Sequence, residues 1–491
     1  MTSIDDKETS GGGLSRQEAS GWRELLRPGH LTATTTLCLG VALFAFNGFF
    51  VSTSLPTAVV EFGGAALLSW AFTLYLVFAI LGGTLAANLK SRFGARNVLV
   101  AAAFAFVAGT LIATFASNMQ TVLVGRLFQG LGEGIIAAVC YALIPELFPT
   151  RLVPKVFGAE AIVWAAAAFA GPLIAGALTE YWSWRAAFFV NVPAAAIFIA
   201  LALAIVPPIE KSASNTTRIP IRRVVAVGAG ILLISISNTV ENELAMATLL
   251  LSATVILYTT VQIDRRSDHA LLPSDAFATN SALGTGLWVV LLMPLAQACG
   301  SVYLVYALQH LWDLGPTAAG FANAVMAMSW SLTAVFVASL RARELRDALT
   351  WTGPLLLSIG LALLTLSVGG GYFWVVFPSQ FAIGAGFGLC WGTLSQLLME
   401  VSPLDERDKT SALLPTLQSA GYAIGAAFFG LVANACGFGE NATDAAISDA
   451  MLAVFAVGCA IAVLSFYFGI RTLRLITQTV RANEEIARQP A

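Results

Sequence analysis

LVGRLFQGLGEG, residues 123–134, places two opposite charges inside an apolar segment that is long enough to cross a lipid bilayer. Arg126, Gln129, Gly130 and Glu133 follow i, i+3, i+4 and i+7 spacing, so a helix presents them on one face. A charge at mid-bilayer depth costs on the order of 3 kcal/mol on insertion scales. We therefore expect this helix face to line a water-filled cavity or to meet a partner.

Apolar segments of similar length continue on both sides of this stretch and fill most of the chain. Hydrophobic residues make up 57% of the sequence and charged residues 11%, whereas soluble domains carry about 25% charged residues. Backbone polar groups cannot stay unpaired in lipid, so each segment should be a helix. The composition predicts an all-α membrane protein with fourteen transmembrane helices. These segments lie near 32–56, 66–89, 96–117, 120–143, 156–178, 186–207, 222–240, 244–263, 281–309, 316–340, 350–369, 372–399, 410–435 and 448–471.

The basic residues fall almost entirely in alternate loops and in the two tails. Of the 26 Lys and Arg residues, all but Arg126 and Arg185 follow this alternation. Basic loops stay in the cytoplasm. The sequence therefore predicts a multi-pass protein of the cell inner membrane with both termini cytoplasmic.

Polar stretches divide the apolar segments into groups of six, two and six. We expect a disordered cytoplasmic tail at 1–29, a six-helix bundle at 30–208, a linker with helices 7 and 8 at 209–270, a second six-helix bundle at 271–473 and a cytoplasmic tail at 474–491. Two six-helix bundles with internal pseudo-symmetry are the plan of secondary transporters. The ATP-binding pattern GxxxxGK[ST] is absent from the sequence, which argues against an ATP-driven pump.

Several other classes of function have little support in the composition. A formal net charge of −2 gives no reason to expect a nucleic-acid partner. The six cysteines are scattered without metal-ligand spacing, and most lie inside apolar segments. No pairing of a nucleophile with a base stands out. We expect neither an enzyme nor a cofactor or metal, and the expected partners are a small-molecule substrate, protons and the lipid bilayer.

Four motifs resemble those of one known family, the major facilitator superfamily, and within it the fourteen-helix drug:proton antiporter group. The resemblance covers residues from about 30 to 472. It implies a major facilitator fold that works by alternating access, with a monomer as the default state. The implied helix-packing and gating residues are Gly130, Gly171, Pro172 and Gly176. The motifs are Arg126-x-x-Gln129-Gly130, Gly171-Pro172-x-x-Ala175-Gly176, the WRxxFxxNxP pattern at 184–193 and Trp70-x-x-Thr73-x-Tyr75.

Two departures from the family pattern bear on proton coupling. The family's first helix carries an aspartate nine residues before a proline, and counting back from Pro56 gives Asn47, an amide that cannot cycle a proton. The family's loop motif GxxxDxxGxR falls on residues 87–96, where Gly94 and Arg96 are kept but the aspartate is replaced by Ser91. Glu133 is then the natural substitute as a proton carrier.

The first hypothesis is proton-coupled efflux of a small amphipathic or aromatic molecule, with protons or substrate bound at Glu133, Arg126, Gln129 and Asn47. Against it stands a structural alternative, in which Arg126 and Glu133 form an internal pair that only ties their helix together. An aromatic or amphipathic ligand would suit a cavity lined by aromatic and amide side chains, although for any single aromatic side chain the more common role is packing against helices or lipid. The cavity candidates are Tyr75, Trp164, Gln297, Tyr303, Trp391 and Gln418.

A second hypothesis is import of a small aromatic nutrient such as riboflavin. It is motivated by Asn47, by Ser91 and by the aromatic-rich helices, and it would make Glu133 and Asn47 hydrogen-bonding groups for the ligand. A non-transporting membrane sensor on the same fold is the least favoured interpretation, because the loops are short.

Overall fold

A computed structural model of the 491-residue chain has fourteen long helices in the residues that it describes. The N-terminal 22 residues and most of the polar linker predicted after the sixth helix lie outside the described residues. The structure describes residues 23–149, 152–207, 221–237, 240, 242–267, 270, 272–338, 343–403, 406–439 and 442–488.

Every long element in these ranges is helical, which confirms the predicted all-α membrane fold. Helix α6 has two parts, Trp184–Phe189 and Asn191–Ile205. The other helices are α1 (Pro28–Phe62), α2 (Leu68–Phe93), α3 (Ala95–Thr114), α4 (Met119–Leu147), α5 (Val153–Tyr181), α7 (Ile221–Ser237), α8 (Glu243–Arg265), α9 (Ala282–Leu311), α10 (Pro316–Ala338), α11 (Arg343–Gly370), α12 (Val376–Val401), α13 (Arg407–Ala435) and α14 (Asp444–Arg488).

Thirteen spans in the described residues are long and apolar enough to cross a membrane. Helix α7 is the exception, because its described part has only 17 residues and residues 238 and 239 are not described. Two helices run further than their apolar segments: α1 continues past Pro56 to Phe62, and α14 continues beyond residue 473 to Arg488. The predicted C-terminal tail is therefore largely a continuation of the last helix.

The helices alternate in direction, so the molecule has two faces. We call the face that holds Lys90 at the end of α2, Arg223 at the start of α7 and Arg265 at the end of α8 the basic face, and the opposite one the far face. On the basic face, Lys90 forms an ion pair with Glu146 and Arg223 forms one with Asp264.

Arg185, one of the two basic residues that break the charge alternation, lies on the far face. Its guanidinium donates to both carboxylate oxygens of Glu61, over 2.9 and 2.8 Å. Trp184 Nε1 donates to the same carboxylate over 2.6 Å. This paired cluster joins α1 to the start of α6, so Arg185 has a structural partner at the membrane edge.

Helix α7 of the inserted hairpin packs along the seam between the two bundles. Its Ile231 is fully buried against Val77 of α2 in the first bundle and against Ala423 and Ala427 of α13 in the second. The hairpin thus contacts both halves of the molecule instead of extending away from them.

The two bundles pack together through their far halves. A single apolar core joins far-face residues of the first bundle, such as Leu55 and Trp184, to residues of the second, such as Tyr303 and Leu308. The basic half of the first bundle has a core of its own, made of first-bundle residues such as Leu99 and Phe198 together with Leu25 just before α1. The molecule is therefore closed on the far face.

Candidate proton and substrate site

The carboxylate of Glu133 lies in the centre of the first bundle, where three helices meet. Its Oε2 accepts a 2.5 Å hydrogen bond from the hydroxyl group of Tyr75 on α2 and a 3.1 Å bond from the amide nitrogen of Asn47 on α1. Its Oε1 is buried and has no hydrogen-bond partner in the part of the chain that the structure describes. Glu133 is 1% exposed and Asn47 is fully buried. The site is a carboxylate held by two neutral donors, with one oxygen left for a further ligand.

Arg126 lies one to two turns towards the far face on the same helix. Its Nε donates to the backbone oxygen of Ala71 over 3.2 Å, and its Nη1 donates to Oε1 of Gln129 over 2.8 Å. Gln129 in turn donates to the hydroxyl of Thr110 on α3 over 3.0 Å. The guanidinium is 1% exposed. Arg126 therefore ties α2, α3 and α4 together through neutral oxygen acceptors.

Tyr75 connects the two charged side chains. Its ring centre lies 4.1 Å from Cζ of Arg126, a distance at which a cation is attracted to the face of an aromatic ring. Arg126 and Glu133 are not among the ion pairs found within the described ranges. The structural alternative weighed from the sequence, a direct pair between them, does not match this geometry, because the tyrosine lies between the two groups.

Small residues on α4 allow this close packing. A Cβ atom at Gly130 would overlap the backbone oxygen of Tyr75, and one at Gly134 would overlap that of Ala79. Glycines are the residues that let two helix backbones approach this closely. The motif that places Arg126 and Glu133 on one helix face therefore also brings the Tyr75 hydroxyl within reach of Glu133.

Asn47 has a second contact that fixes its orientation. Its side-chain oxygen accepts a 3.3 Å hydrogen bond from Nδ2 of Asn191, at the start of the second part of α6. The amide group of Asn47 is therefore held with its nitrogen towards Glu133. Sequence reasoning quoted Asn191 within a motif but did not assign it to the site, and it also missed Thr110.

The second group of predicted motif residues lies where α5 meets its neighbours. A Cβ atom at Gly171 would come 2.8 Å from Cβ of Phe49 on α1, and one at Gly176 would come 2.5 Å from Cα of Thr317 on α10. The backbone oxygen of Pro172 lies 2.7 Å from the Cβ position of Gly320 on α10. Gly176 and Pro172 thus belong to the contact that closes the far face between the two bundles.

The retained loop residues lie at the basic face. Gly94 separates α2 from α3 with φ 80°, a left-handed conformation that favours glycine. Arg96 Nε donates to the backbone oxygen of Val206 at the end of α6 over 2.7 Å. These residues hold the short loop against the first bundle, and no contact in the described residues links them to the second bundle.

The six cavity candidates do not converge on one site. Tyr75 belongs to the Glu133 network, and Trp164 is 38% exposed with its ring 5.9 Å from Phe44. Gln297 accepts from Ser301 over 2.8 Å and donates weakly to the sulfur of Met326. The others lie in the second bundle: Tyr303 is buried against Phe438, Trp391 packs partly buried against the core, and Gln418 is half-buried.

Comparison with known proteins agrees with this architecture. A sequence profile described as Major Facilitator Superfamily matches residues 37–426, a range that contains the whole Glu133 network. The chain belongs to the major facilitator superfamily. Its predicted resemblance to this family is thereby confirmed, and the protein is a multi-pass membrane transporter of that family.

Relatives within the superfamily carry two kinds of name. A "Probable multidrug-efflux transporter" of Mycobacterium tuberculosis (strain H37Rv) is 29% identical over 456 residues, which cover 90% of this chain and 95% of that protein. A "Riboflavin transporter" of Clostridioides difficile (strain 630) is 20% identical over 396 residues, which cover 80% of this chain and 86% of that protein.

Solved structures share the fold at low sequence identity. A peptide transporter POT in complex with sulfate has a TM-score of 0.65 and 15% identity, covering 90% of this chain and 95% of its own. A D-xylose-proton symporter has a TM-score of 0.62 and 17% identity, covering 89% and 97%. These likenesses establish the major facilitator architecture and leave the substrate of this chain open.

Proposed function

We propose that this protein is a proton-coupled exporter of small amphipathic or aromatic molecules, that it acts as a monomer, and that its basic face is the cytoplasmic side of the inner membrane. The observation that carries the proposal is the buried Glu133 carboxylate, with one oxygen bonded to two neutral donors and the other without a hydrogen-bond partner among the described residues. An intramembrane carboxylate of this kind is costly unless it binds something.

Protonation of Glu133 would act on three helices at once. As a carboxylate, Glu133 accepts hydrogen bonds from Tyr75 on α2 and from Asn47 on α1. As a carboxylic acid it becomes a donor on one oxygen, so at least one of these bonds has to change. The packing of α1 and α2 against α4 then depends on the proton, which is the coupling that alternating access needs.

Arg126 supports the same role without neutralising the carboxylate. Its guanidinium is anchored to Ala71 and Gln129, and its charge reaches Glu133 only across the ring of Tyr75. A direct ion pair would hold Glu133 charged and resist its protonation. Because the ring of Tyr75 lies between them, the charge of Arg126 favours the carboxylate form of Glu133 only weakly, and Glu133 can still exchange its proton.

The substrate class in this proposal rests on two observations. The run of rings Tyr75, Phe44 and Trp164, with centroid separations of 6.3 and 5.9 Å, leads from the Glu133 site towards a partly exposed tryptophan. The relative of Mycobacterium tuberculosis whose name refers to multidrug efflux aligns over nearly the whole chain. Both fit an apolar or aromatic molecule better than a sugar or a peptide.

The test is transport of ethidium into inverted membrane vesicles under an imposed pH gradient. The wild-type protein should accumulate the dye when the gradient is present, and Glu133→Gln should abolish this accumulation. Glu146→Gln is the matched control, because Glu146 is a half-exposed carboxylate on the same helix that pairs with Lys90 at the basic face. Wild-type accumulation in the Glu133→Gln vesicles would end the proposal.

Import of an aromatic nutrient is a second candidate, favoured by one specific feature. Asn47 offers both an amide donor and an amide acceptor at the site where a proton-cycling aspartate is usual in the antiporters that the chain resembles, and one relative is named a riboflavin transporter. Riboflavin entry into right-side-out vesicles, with no movement of ethidium in either orientation, would favour import. Under that outcome Asn47→Asp should damage uptake, because it adds a buried charge beside Glu133.

A further inference from the structure

A second carboxylate is buried in the first bundle and has no part in the Glu133 network. Glu160 lies on α5, seven residues after the helix begins at Val153, and it is 2% exposed. Among the described residues, neither of its carboxylate oxygens has a hydrogen-bond partner. Buried polar groups in proteins almost always have hydrogen-bond partners. Two buried carboxylate oxygens without such partners therefore call for a ligand.

The position of Glu160 along its helix places it on the basic-face side of Glu133. Glu160 lies seven residues from the basic-face start of α5 at Val153, and Glu133 lies fourteen residues from the basic-face end of α4 at Leu147. At 1.5 Å per residue these positions are about 10 Å and about 21 Å from the basic-face ends of their helices. The two carboxylates therefore occupy two successive levels of the same bundle.

Glu160 takes part in none of the ion pairs found among the described residues, and the basic residue of its own helix, Lys155, lies five positions before it. Helix α10, which packs along α5, contains no titratable residue at all. The titratable side chains of α1 other than Cys38 are His30, which stacks on Phe148, and Glu61, which pairs with Arg185 at the far face. On α4, Arg126 lies on the far-face side of Glu133 and bonds to Ala71, and Glu146 pairs with Lys90. The first part of α6 contributes only Arg185.

Burial decides what kind of ligand can reach Glu160. A buried charge without a partner is costly, so the group requires either a proton or a cation. Both oxygens are closed off from solvent, which leaves no room for an organic cation beside them. Tyr141, on the neighbouring helix α4, is 42% exposed. A proton is the ligand that fits.

We propose that Glu160 is a second proton-binding site, on the basic-face side of Glu133. Its carboxylate binds one proton and becomes a carboxylic acid, and it releases that proton to become a carboxylate again. This inference rests on the proposed proton coupling at Glu133.

Infrared difference spectroscopy of the purified protein tests the site without any substrate. Spectra recorded at acid and alkaline pH should contain two carboxylic acid carbonyl bands from buried groups. Glu133→Gln should remove one band and Glu160→Gln the other, while Glu146→Gln should remove neither. Glu160→Asp, which keeps the carboxyl group, should shift its band and not abolish it, and it serves if the glutamine variant does not fold. A Glu160→Gln spectrum identical to that of the wild type overturns the inference.

Transport of ethidium separates this inference from the proposed function. Loss of the general acid–base group should slow gradient-driven transport by about 10²-fold in Glu160→Gln, while ethidium binding at fixed pH stays unchanged. If the wild type itself shows no proton-coupled transport, the proposed function fails, yet the infrared bands still report on Glu160. If Glu160→Gln loses ethidium binding and keeps both bands, Glu160 recognises the substrate and is not a proton site.

Discussion

The hydroxyl group of Tyr75 donates a 2.5 Å hydrogen bond to Glu133, while the ring of the same tyrosine faces the guanidinium of Arg126. One side chain thus joins a buried anion to a buried cation that are kept apart. A carboxylate that binds a direct counter-charge is held in its ionised form, whereas one that binds a hydroxyl can exchange that bond when it takes up a proton. The position of Tyr75 is therefore central to any coupling at Glu133.

Tyr75→Phe should weaken proton coupling and leave the fold intact. The variant keeps the ring against Arg126 and removes only the hydroxyl, whose hydrogen bond to a charged group is worth about 1.5–3 kcal/mol. We expect the pH at which ethidium transport is half-maximal to move, with a transport rate roughly tenfold lower. Tyr258→Phe, at a 64% exposed position on α8, is the matched control. An unchanged pH dependence of transport in Tyr75→Phe would show that the hydroxyl group of Tyr75 has no part in proton coupling.

Gly176→Ala should disturb closure of the far face. The added Cβ atom would come 2.5 Å from Cα of Thr317, a distance that requires α5 and α10 to move apart. Spin labels at the exposed residues Tyr181 and Tyr372, one at the far-face end of each bundle, should report a longer distance in the variant. Gly48→Ala is the control, since a Cβ atom there has no neighbour within 4 Å. The same label distance in both variants would contradict the gating role of Gly176.

The fold was largely predictable because the bilayer fixes the length of each apolar segment. The helix ends were less so: α1 continues through Pro56 to Phe62, and α14 runs on to Arg488. Hydropathy reports where a helix lies in lipid and gives no signal where the helix leaves it. The position of α7 across both bundles also could not be predicted, because its sequence is apolar without marking which neighbours it packs against.

The sequence predicted which site residues share one face of a helix, but it did not predict which side chains of different helices meet. Spacing on α4 placed Arg126, Gln129 and Glu133 on one face, and the structure has them there. Whether Arg126 meets Glu133 directly could not be settled from spacing, because the answer depends on Tyr75, a residue some 50 positions away in sequence. Glu160 was missed altogether, although a carboxylate inside the apolar segment 156–178 could have been found by the same depth argument that singled out Glu133.

Glu406 should make the stability of the basic face depend on acid pH. The backbone N–H and the hydroxyl of Ser274 donate to its Oε2, and with Lys409 nearby they hold the pKa of Glu406 below its usual range. Its contribution is therefore present above an ordinary glutamate pKa of about 4.3, and it is lost as the pH falls through the lowered value. Glu406→Gln should melt slightly below the wild type at neutral pH, and the two curves should converge in acid. Glu400→Gln, which alters a bond within one helix, is the control.

Glu180 should act as a latch between the bundles at the far face. Its Oε2 accepts a 3.4 Å hydrogen bond from the backbone N–H of Thr317, at the first turn of α10, where the helix dipole favours a negative charge. A carboxylate in this position stabilises the closed far face by about 0.3–1 kcal/mol. Glu180→Gln should therefore shift the population towards the open far face by roughly two- to fivefold, with the label pair at Tyr181 and Tyr372 reporting the change. Glu61→Gln breaks a comparable contact, but one that lies within the first bundle. That variant should lower the melting temperature and leave the label distance unchanged, so a population shift in Glu61→Gln equal to that in Glu180→Gln would contradict the latch.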